Sequence, residues 1–116
     1  RSDWLGSYML ACRDEETGKL KTVGKMATGF TDEQLDEMTE RLEPLIVEEE
    51  GRHVDLKPEV VVEVAYEEIQ KSPKYESGYA LRFPRLVQVR EDMDPERANE
   101  LEKVENLYDN QEGGQQ

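Results

Sequence analysis

The chain has little of what most catalytic chemistry is built from. Its one cysteine, Cys12, cannot close an internal disulfide, which fits a reducing compartment and a plain buried thiol within an apolar run. Its one histidine, His53, stands beside a turn at Gly51 and Arg52 with no partner evident in the sequence, and reads as a solvated turn residue. There is no nucleophile paired with a histidine, no Cys/His metal cluster and no glycine-rich phosphate loop followed by lysine. Without a bilayer-length apolar run or a signal-peptide pattern, a soluble intracellular chain with no membrane partner is expected. Positive charge is the scarcest commodity: 15 Lys and Arg face 28 Asp and Glu, a net charge of −13. That balance disfavours an independent protein gripping nucleic acid by bulk charge, so any contact with phosphate has to be local.

What is present fits one modest core. A length of 116 residues is ordinary for a single domain. The chain begins with Arg1 and runs almost at once into an apolar strand pattern, so a fragment of something longer is expected, and a monomeric one. Residues 5–12 and 19–26 read as two strands of a hairpin around the polar turn ending in Gly18. Thr31 and Gln34 have the spacing of a capping box, and Leu35, Met38 and Leu42 follow at helical spacing, which predicts an amphipathic helix over residues 32–43, ended with the help of Pro44. Short apolar runs follow at residues 45–47 and 53–56. In residues 59–68, Val60, Val62, Val64 and Tyr66 should face one way and Glu63 and Glu67 the other. A further strand is expected at L-V-Q-V-R, residues 86–90, and Pro84 before it should sit at an edge or bulge. Asp94 and Pro95 read as a helix start, continued by Ala98, Leu101, Val104 and Leu107.

The expected class is mainly β: an OB-fold-like five-stranded antiparallel barrel with an inserted amphipathic helix and a C-terminal helix. A sandwich or an α+β layer would show the same runs. The domain should occupy residues 1–108, and residues 109–116 should form a flexible tail. The acidic runs Glu48-Glu49-Glu50 and Asp32-Glu33 read as solvated faces at turns and helix starts, with no metal site.

One stretch departs from the acidic background. Between Lys71 and Arg90 lie Lys71, Lys74, Arg82, Arg85 and Arg90 against the single acid Glu76, with Tyr75, Tyr79 and Phe83 interleaved. Guanidinium forks match phosphate oxygens, and an aromatic beside them can wedge against bases or sugars. The plainer reading is an edge strand decorated with solvated arginines.

Four blocks carry a family resemblance: L-G-S-Y-M-L-A at 5–11, V-G-K-M-A-T-G-F-T-D-E-Q-L at 23–35, E-V-A-Y-E-E-I-Q-K-S-P at 63–73 and L-R-F-P-R-L-V-Q-V-R-E-D at 81–92. In order and spacing they resemble the C-terminal OB-fold domain of ATP-dependent DNA ligases of the archaeal and eukaryotic replicative type, over roughly residues 4–108. The last block resembles the family's nucleotidyl-transferase motif VI. The resemblance implies a parent enzyme in which a lysine of a preceding adenylation domain takes AMP from ATP, with Mg2+ and release of pyrophosphate. AMP then passes to the 5′-phosphate at a nick and is displaced by the 3′-hydroxyl. It implies that Arg90 and Asp92 orient the pyrophosphate leaving group, Asp92 by holding a cation. It also implies that Arg82, Phe83, Arg85 and Lys25 contact nicked duplex DNA in the minor groove. Met93 stands where the family pattern R-x-D-K has lysine. No K-x-D-G sequence is present, so the chain alone should not seal DNA. Implied partners are the adenylation domain of the same parent chain, nicked double-stranded DNA and, through the parent, a sliding clamp, although no feature here would carry a clamp. Implied localisation is the nucleoid of an archaeon or a eukaryotic nucleus.

Two rival readings remain at this level. A free-standing OB-fold module binding single strands or a protein partner would bind unnicked single-stranded DNA tightly. A purely acidic interaction domain would show no salt-sensitive contact with DNA.

Overall fold

A computed structural model describes residues 5–111; residues 1–4 and 112–116, and the expectations that fall on them, lie outside the described part. The elements run β1 Tyr8–Arg13, β2 Leu20–Met26, α1 Asp32–Leu42, a 3-10 turn Glu43–Leu45, β3 Ile46–Glu50, β4 His53–Leu56, β5 Val62–Ala65, β6 Glu68–Lys71, β7 Tyr79–Arg82, β8 Arg85–Val89, a 3-10 turn Pro95–Arg97 and α2 Leu101–Asn110.

The first hairpin forms where it is expected, with Tyr8 opposite Met26 and Arg13 opposite Leu20. Its turn is organised by Asp14. The Asp14 carboxylate accepts the Glu16 N–H at 2.9 Å, its backbone oxygen accepts the Gly18 N–H at 2.7 Å, and Lys21 Nζ lies 3.5 Å away. Gly18 takes φ +76°, a left-handed conformation that a side chain would strain. The Glu16 N–H, helped by Lys21, holds the Asp14 carboxyl below the usual aspartate range despite its burial. A carboxyl with a lowered native pKa stabilises the fold above its unfolded value, about 3.9, and loses that contribution as pH falls through the native one. The stability difference between the wild type and Asp14→Asn should therefore be full at neutral pH and vanish on acidification below about pH 4. Urea midpoints measured down the pH series check this, and a difference that persists at the acid end would refute it.

Helix α1 begins at the expected capping box: Thr31 Oγ1 accepts the Gln34 N–H at 3.1 Å and Gln34 Oε1 accepts the Thr31 N–H at 3.0 Å. Met38, Thr39 and Leu42 are its buried side chains. Thr39 Oγ1 also accepts the Leu5 N–H at 2.9 Å, tying the chain just before β1 to the helix.

The strand expected in residues 59–68 is broken once, and the strand expected at residues 86–90 is preceded by a second one, β7, across Pro84. β5 pairs antiparallel with β8 (Val62 opposite Val89, Ala65 opposite Arg85), and β6 pairs with β7 (Glu68 opposite Arg82, Lys71 opposite Tyr79). Together they make one long hairpin, bent where Tyr66 and Glu67 face Phe83 and Pro84. Pro84 cannot donate to a ladder, and Phe83 beside it takes φ +53°, so regular pairing stops at that level on both strands. The Glu67 N–H still bonds to the Arg82 carbonyl at 2.9 Å, which carries the chain across the bend.

Several expectations need correction. Among the described residues the strands form four two-stranded antiparallel ladders and no closed barrel. Three of the four ladders contain a bulge, at Leu10/Ala11, Ile46/Glu48 and Glu63/Val64. Such breaks turn strands sharply, so the layers meet through side chains instead of a continuous hydrogen-bonded wall. Gly24 on β2 shows how close that approach is: a Cβ there would stand 3.4 Å from the Leu81 Cβ of β7. Glu48, Glu49 and Glu50 lie on β3, not in a turn. His53 does have a partner, Asp55, with His53 Nε2 3.0 Å from Asp55 Oδ1 on an exposed strand. Asp94 starts only a 3-10 turn and makes no side-chain cap, while Ala98 lies outside α2 in extended backbone.

The core joins Tyr8, Leu10, Cys12, Val23 and Met26 of the first hairpin to Met38 and Leu42 of α1, Ile69 of β6, and Val104 and Tyr108 of α2. Burial pushes the Cys12 thiol up, as expected of an inert core cysteine. Helix α2 lies along β6 and reaches Asn110. Just past it, Gln111 accepts the Ile69 N–H at 2.9 Å with its side-chain oxygen and donates its amide to the Ile69 carbonyl. That side chain does for β6 what a neighbouring strand would do. Residues 109–111 thus belong to the folded body.

Candidate nucleic-acid and phosphate interface

The bend in the long hairpin displays Arg82 and Phe83. On a regular strand these neighbours would point to opposite faces. The left-handed φ at Phe83 removes that obstacle, and the Arg82 guanidinium carbon lies 5.0 Å from the Phe83 ring centroid. Phe83 is 57% exposed and is the only exposed aromatic side chain among the described residues. A bulky residue held at positive φ with its ring in solvent is costly twice over, and backbone strain of this kind concentrates at binding sites. On β8, Arg85 and Val87 are exposed on alternate positions, and Val87 is another large apolar side chain left in solvent.

Arg90 follows the end of β8. Its backbone N–H donates to the Val61 carbonyl at 2.8 Å, and the Met93 N–H returns to the Arg90 carbonyl at 3.3 Å, so residues 90–93 form a tight turn against β5. Within that turn Asp92 grips Arg90 as a fork: Nε donates to Oδ1 at 3.0 Å and a terminal amino group to Oδ2 at 2.9 Å. Glu63 on β5 adds a longer contact at 3.6 Å. Glu63 is held in turn by Gln88, whose amide donates to it at 2.8 Å. The Arg90 fork lowers the Asp92 carboxyl below the usual aspartate range, and Asp92 raises the Arg90 guanidinium.

The structure therefore sorts the expected site residues into groups. Arg82 and Phe83 form one unit at the bend, and Arg90 with Asp92 another at the far end of β8. Arg85 lies on β8 opposite Ala65, exposed. Lys25 stands apart on β2, exposed and opposite Met9, itself 57% exposed. Two lysines of the basic segment instead lie over tyrosines: Lys71 is 5.8 Å from the Tyr108 ring centroid and Lys74 is 5.5 Å from that of Tyr75.

Sequence reading missed Arg41. It lies in the last turn of α1 and pairs with Glu91, the residue between Arg90 and Asp92. No sequence signal links residues so far apart. Arg41, Glu59, Arg90, Glu91 and Met93 line a surface concavity of about 320 Å³, together with Val60 and Val61 just before β5 and Val89 at the end of β8. Among the described residues no group of three or more His, Cys, Asp or Glu side chains could hold a metal ion, and no helix is long and apolar enough to cross a membrane.

Fold and site together define a β-rich domain that displays an arginine and an aromatic at one place and a carboxylate-oriented arginine at another. A family model described as the ATP dependent DNA ligase C terminal region matches residues 1–93, and the chain belongs to that family. Among curated relatives, it is 61% identical over 108 residues to a DNA ligase of Archaeoglobus fulgidus, covering 93% of this chain. It is 58% identical to a DNA ligase of Methanococcoides burtonii and 54% identical to one of Thermococcus fumicolans, each over 97% of this chain. The chain spans about 20% of the length of each of these relatives. A solved structure, the ligase domain from M. tuberculosis LigD, superposes with a TM-score of 0.65 at 26% identity, over 80% of this chain and 32% of that one.

Proposed function

We propose that this domain serves an ATP-dependent DNA ligase in two successive steps, first assisting transfer of AMP from ATP to a lysine elsewhere in the enzyme, then holding nicked duplex DNA while the phosphodiester bond forms. We read its four ladders as an opened five-stranded OB-fold barrel, with the long bent hairpin supplying the arginine-bearing strands. The observation that carries the proposal is the separation of two differently prepared arginines. Arg90 is pre-oriented by a fork on a tight turn. Arg82 has no such clamp among the described residues and rests on an exposed phenylalanine.

In the first step the chemistry breaks the bond between the α-phosphate and the departing pyrophosphate, and negative charge grows on the leaving oxygens. A guanidinium already fixed in place stabilises that charge without reorganising. Asp92 keeps Arg90 in position; being an anion, it acts as an orienter and not as a phosphate ligand. The concavity beside Arg90 sets two guanidiniums, Arg41 and Arg90, against two carboxylates, Glu59 and Glu91, and none of its lining residues is aromatic. It offers a polyphosphate its arginines only where those carboxylates give way.

In the second step Arg82 and Arg85 reach backbone phosphates and Phe83 acts as an apolar wedge in the minor groove, with Lys25 a further phosphate contact. A groove for single strands would interleave several exposed aromatics with its cations, and Phe83 stands by itself in that respect. Arg82→Ala in the full ligase should slow sealing of pre-adenylated nicks about tenfold and leave lysine adenylation unchanged. Rapid-quench assays of the two steps decide the matter: loss of adenylation together with sealing would defeat the division of labour.

A further inference from the structure

The chain has Met93 where the family pattern offers a lysine, so the Arg90 site is one cation short. The same concavity holds a candidate for the missing charge. Arg41 lines it from α1, and its Nε is buried with no hydrogen-bond acceptor among the described residues. Glu37, one turn earlier on α1, stands 4.0 Å from that nitrogen, beyond hydrogen-bonding distance. Arg41 is held instead by Glu91, whose side chain is 67% exposed.

We propose that Arg41 is the second phosphate-binding cation of the Arg90 site, kept in reserve by Glu91. Each guanidinium at this site is occupied by a carboxylate of the 90–93 turn, Arg90 by Asp92 and Arg41 by Glu91. The two acids differ in what holds them. Asp92 accepts both hydrogen bonds of a fork, whereas Glu91 makes an ion-pair contact with Arg41. A polyphosphate arriving in the concavity displaces the weaker carboxylate first. It then meets a guanidinium from α1 on one side and Arg90 on the other, where an ordinary site of this pattern would use a lysine from the turn itself. Arginine suits the task because its fork matches two phosphate oxygens at once. The choice of polyphosphate as ligand rests on the function proposed above; the pairing of Arg41 with Arg90 rests on the geometry.

The test is binding of inorganic pyrophosphate to the 116-residue chain, followed by two-dimensional amide NMR, which also reports whether each variant is folded. Arg41→Ala should weaken binding about tenfold, and Arg41→Lys less, since it keeps the charge but loses the fork. Glu91→Gln should tighten binding about threefold, because it removes the competing anion. Opposite signs for Arg41→Ala and Glu91→Gln are the signature of a held-back ligand. If Arg41 merely straps α1 to the turn, both variants break the same strap and shift binding in the same direction, which would overturn the inference. Unchanged binding in Arg41→Ala with weakened binding in Arg90→Ala would also overturn it while leaving the two-step function intact. Unchanged binding in Arg90→Ala would instead count against the role given to Arg90. Absence of pyrophosphate binding by the wild-type chain would remove the inference outright.

Discussion

Replacing Arg90 by alanine should slow lysine–AMP formation in the full ligase by about a hundredfold or more, the usual cost of deleting one preorganised donor aimed at developing charge. Sealing of nicks already carrying AMP should stay within about threefold of wild type, because the pyrophosphate has left before that step. The structure makes the experiment clean. Arg90 and Asp92 form their fork at the surface, with side chains 33% and 67% exposed, so the orphaned Asp92 is rehydrated and the fold is not strained. Arg90→Lys should fall between the two, keeping the charge but losing the fork that Asp92 orients. Single-turnover measurements with labelled ATP and with synthetic adenylated nicks give the two rates separately. Equal losses in both would sink the assignment of Arg90 to the first step.

The largest effect on stability is expected at Ile69. Its side chain is 1% exposed, and it lies on β6 between the first hairpin and α2, while Gln111 holds both of its backbone groups. Ile69→Ala removes three carbons from the place where the layers meet and should cost about 2–5 kcal/mol. That is a large share of the 5–15 kcal/mol typical of a whole domain. Gln111→Ala should cost less, about 1–3 kcal/mol, by leaving a strand N–H and a carbonyl without partners. Because the two residues share one contact, their effects should not add. Urea unfolding of the single and double variants measures this directly. An Ile69→Ala loss below about 1 kcal/mol would mean that the layers do not depend on this contact.

How far the sequence could be read depends on the range of the interaction. Thr31 and Gln34 are three residues apart, so the capping box was legible and is formed. The turn at Gly18 was legible for the same reason. The bend in the long hairpin was half legible: Pro84 announced a break, yet nothing nearby showed that Phe83 would take the left-handed conformation or that residues 66–67 would break opposite it. The capping role expected of Asp94 failed because Pro95 and Ala98 are recruited by a 3-10 turn and an extended segment before α2 starts at Leu101. His53 looked partnerless because its partner, two residues on, faces it only once β4 is extended.

By itself the sequence determined the charge balance, the two helices, the main strand-forming runs and the family blocks, including Arg90 and Asp92 two residues apart. All of these rest on local propensity, on alternation along the chain, or on residues close enough in sequence to meet without help from the fold. Tertiary structure alone decided how the ladders pair, why they stay open, that Arg82 and Phe83 share a face, and that Arg41 comes from α1 to stand beside Arg90. The last of these joins residues 41 and 91, far apart in the chain, and the others depend on bulges and a bend that no local pattern fully announces. Which distant side chains meet is set by the bulges, the bend and the packing of α2 on β6 acting together, and no single stretch of sequence contains that sum.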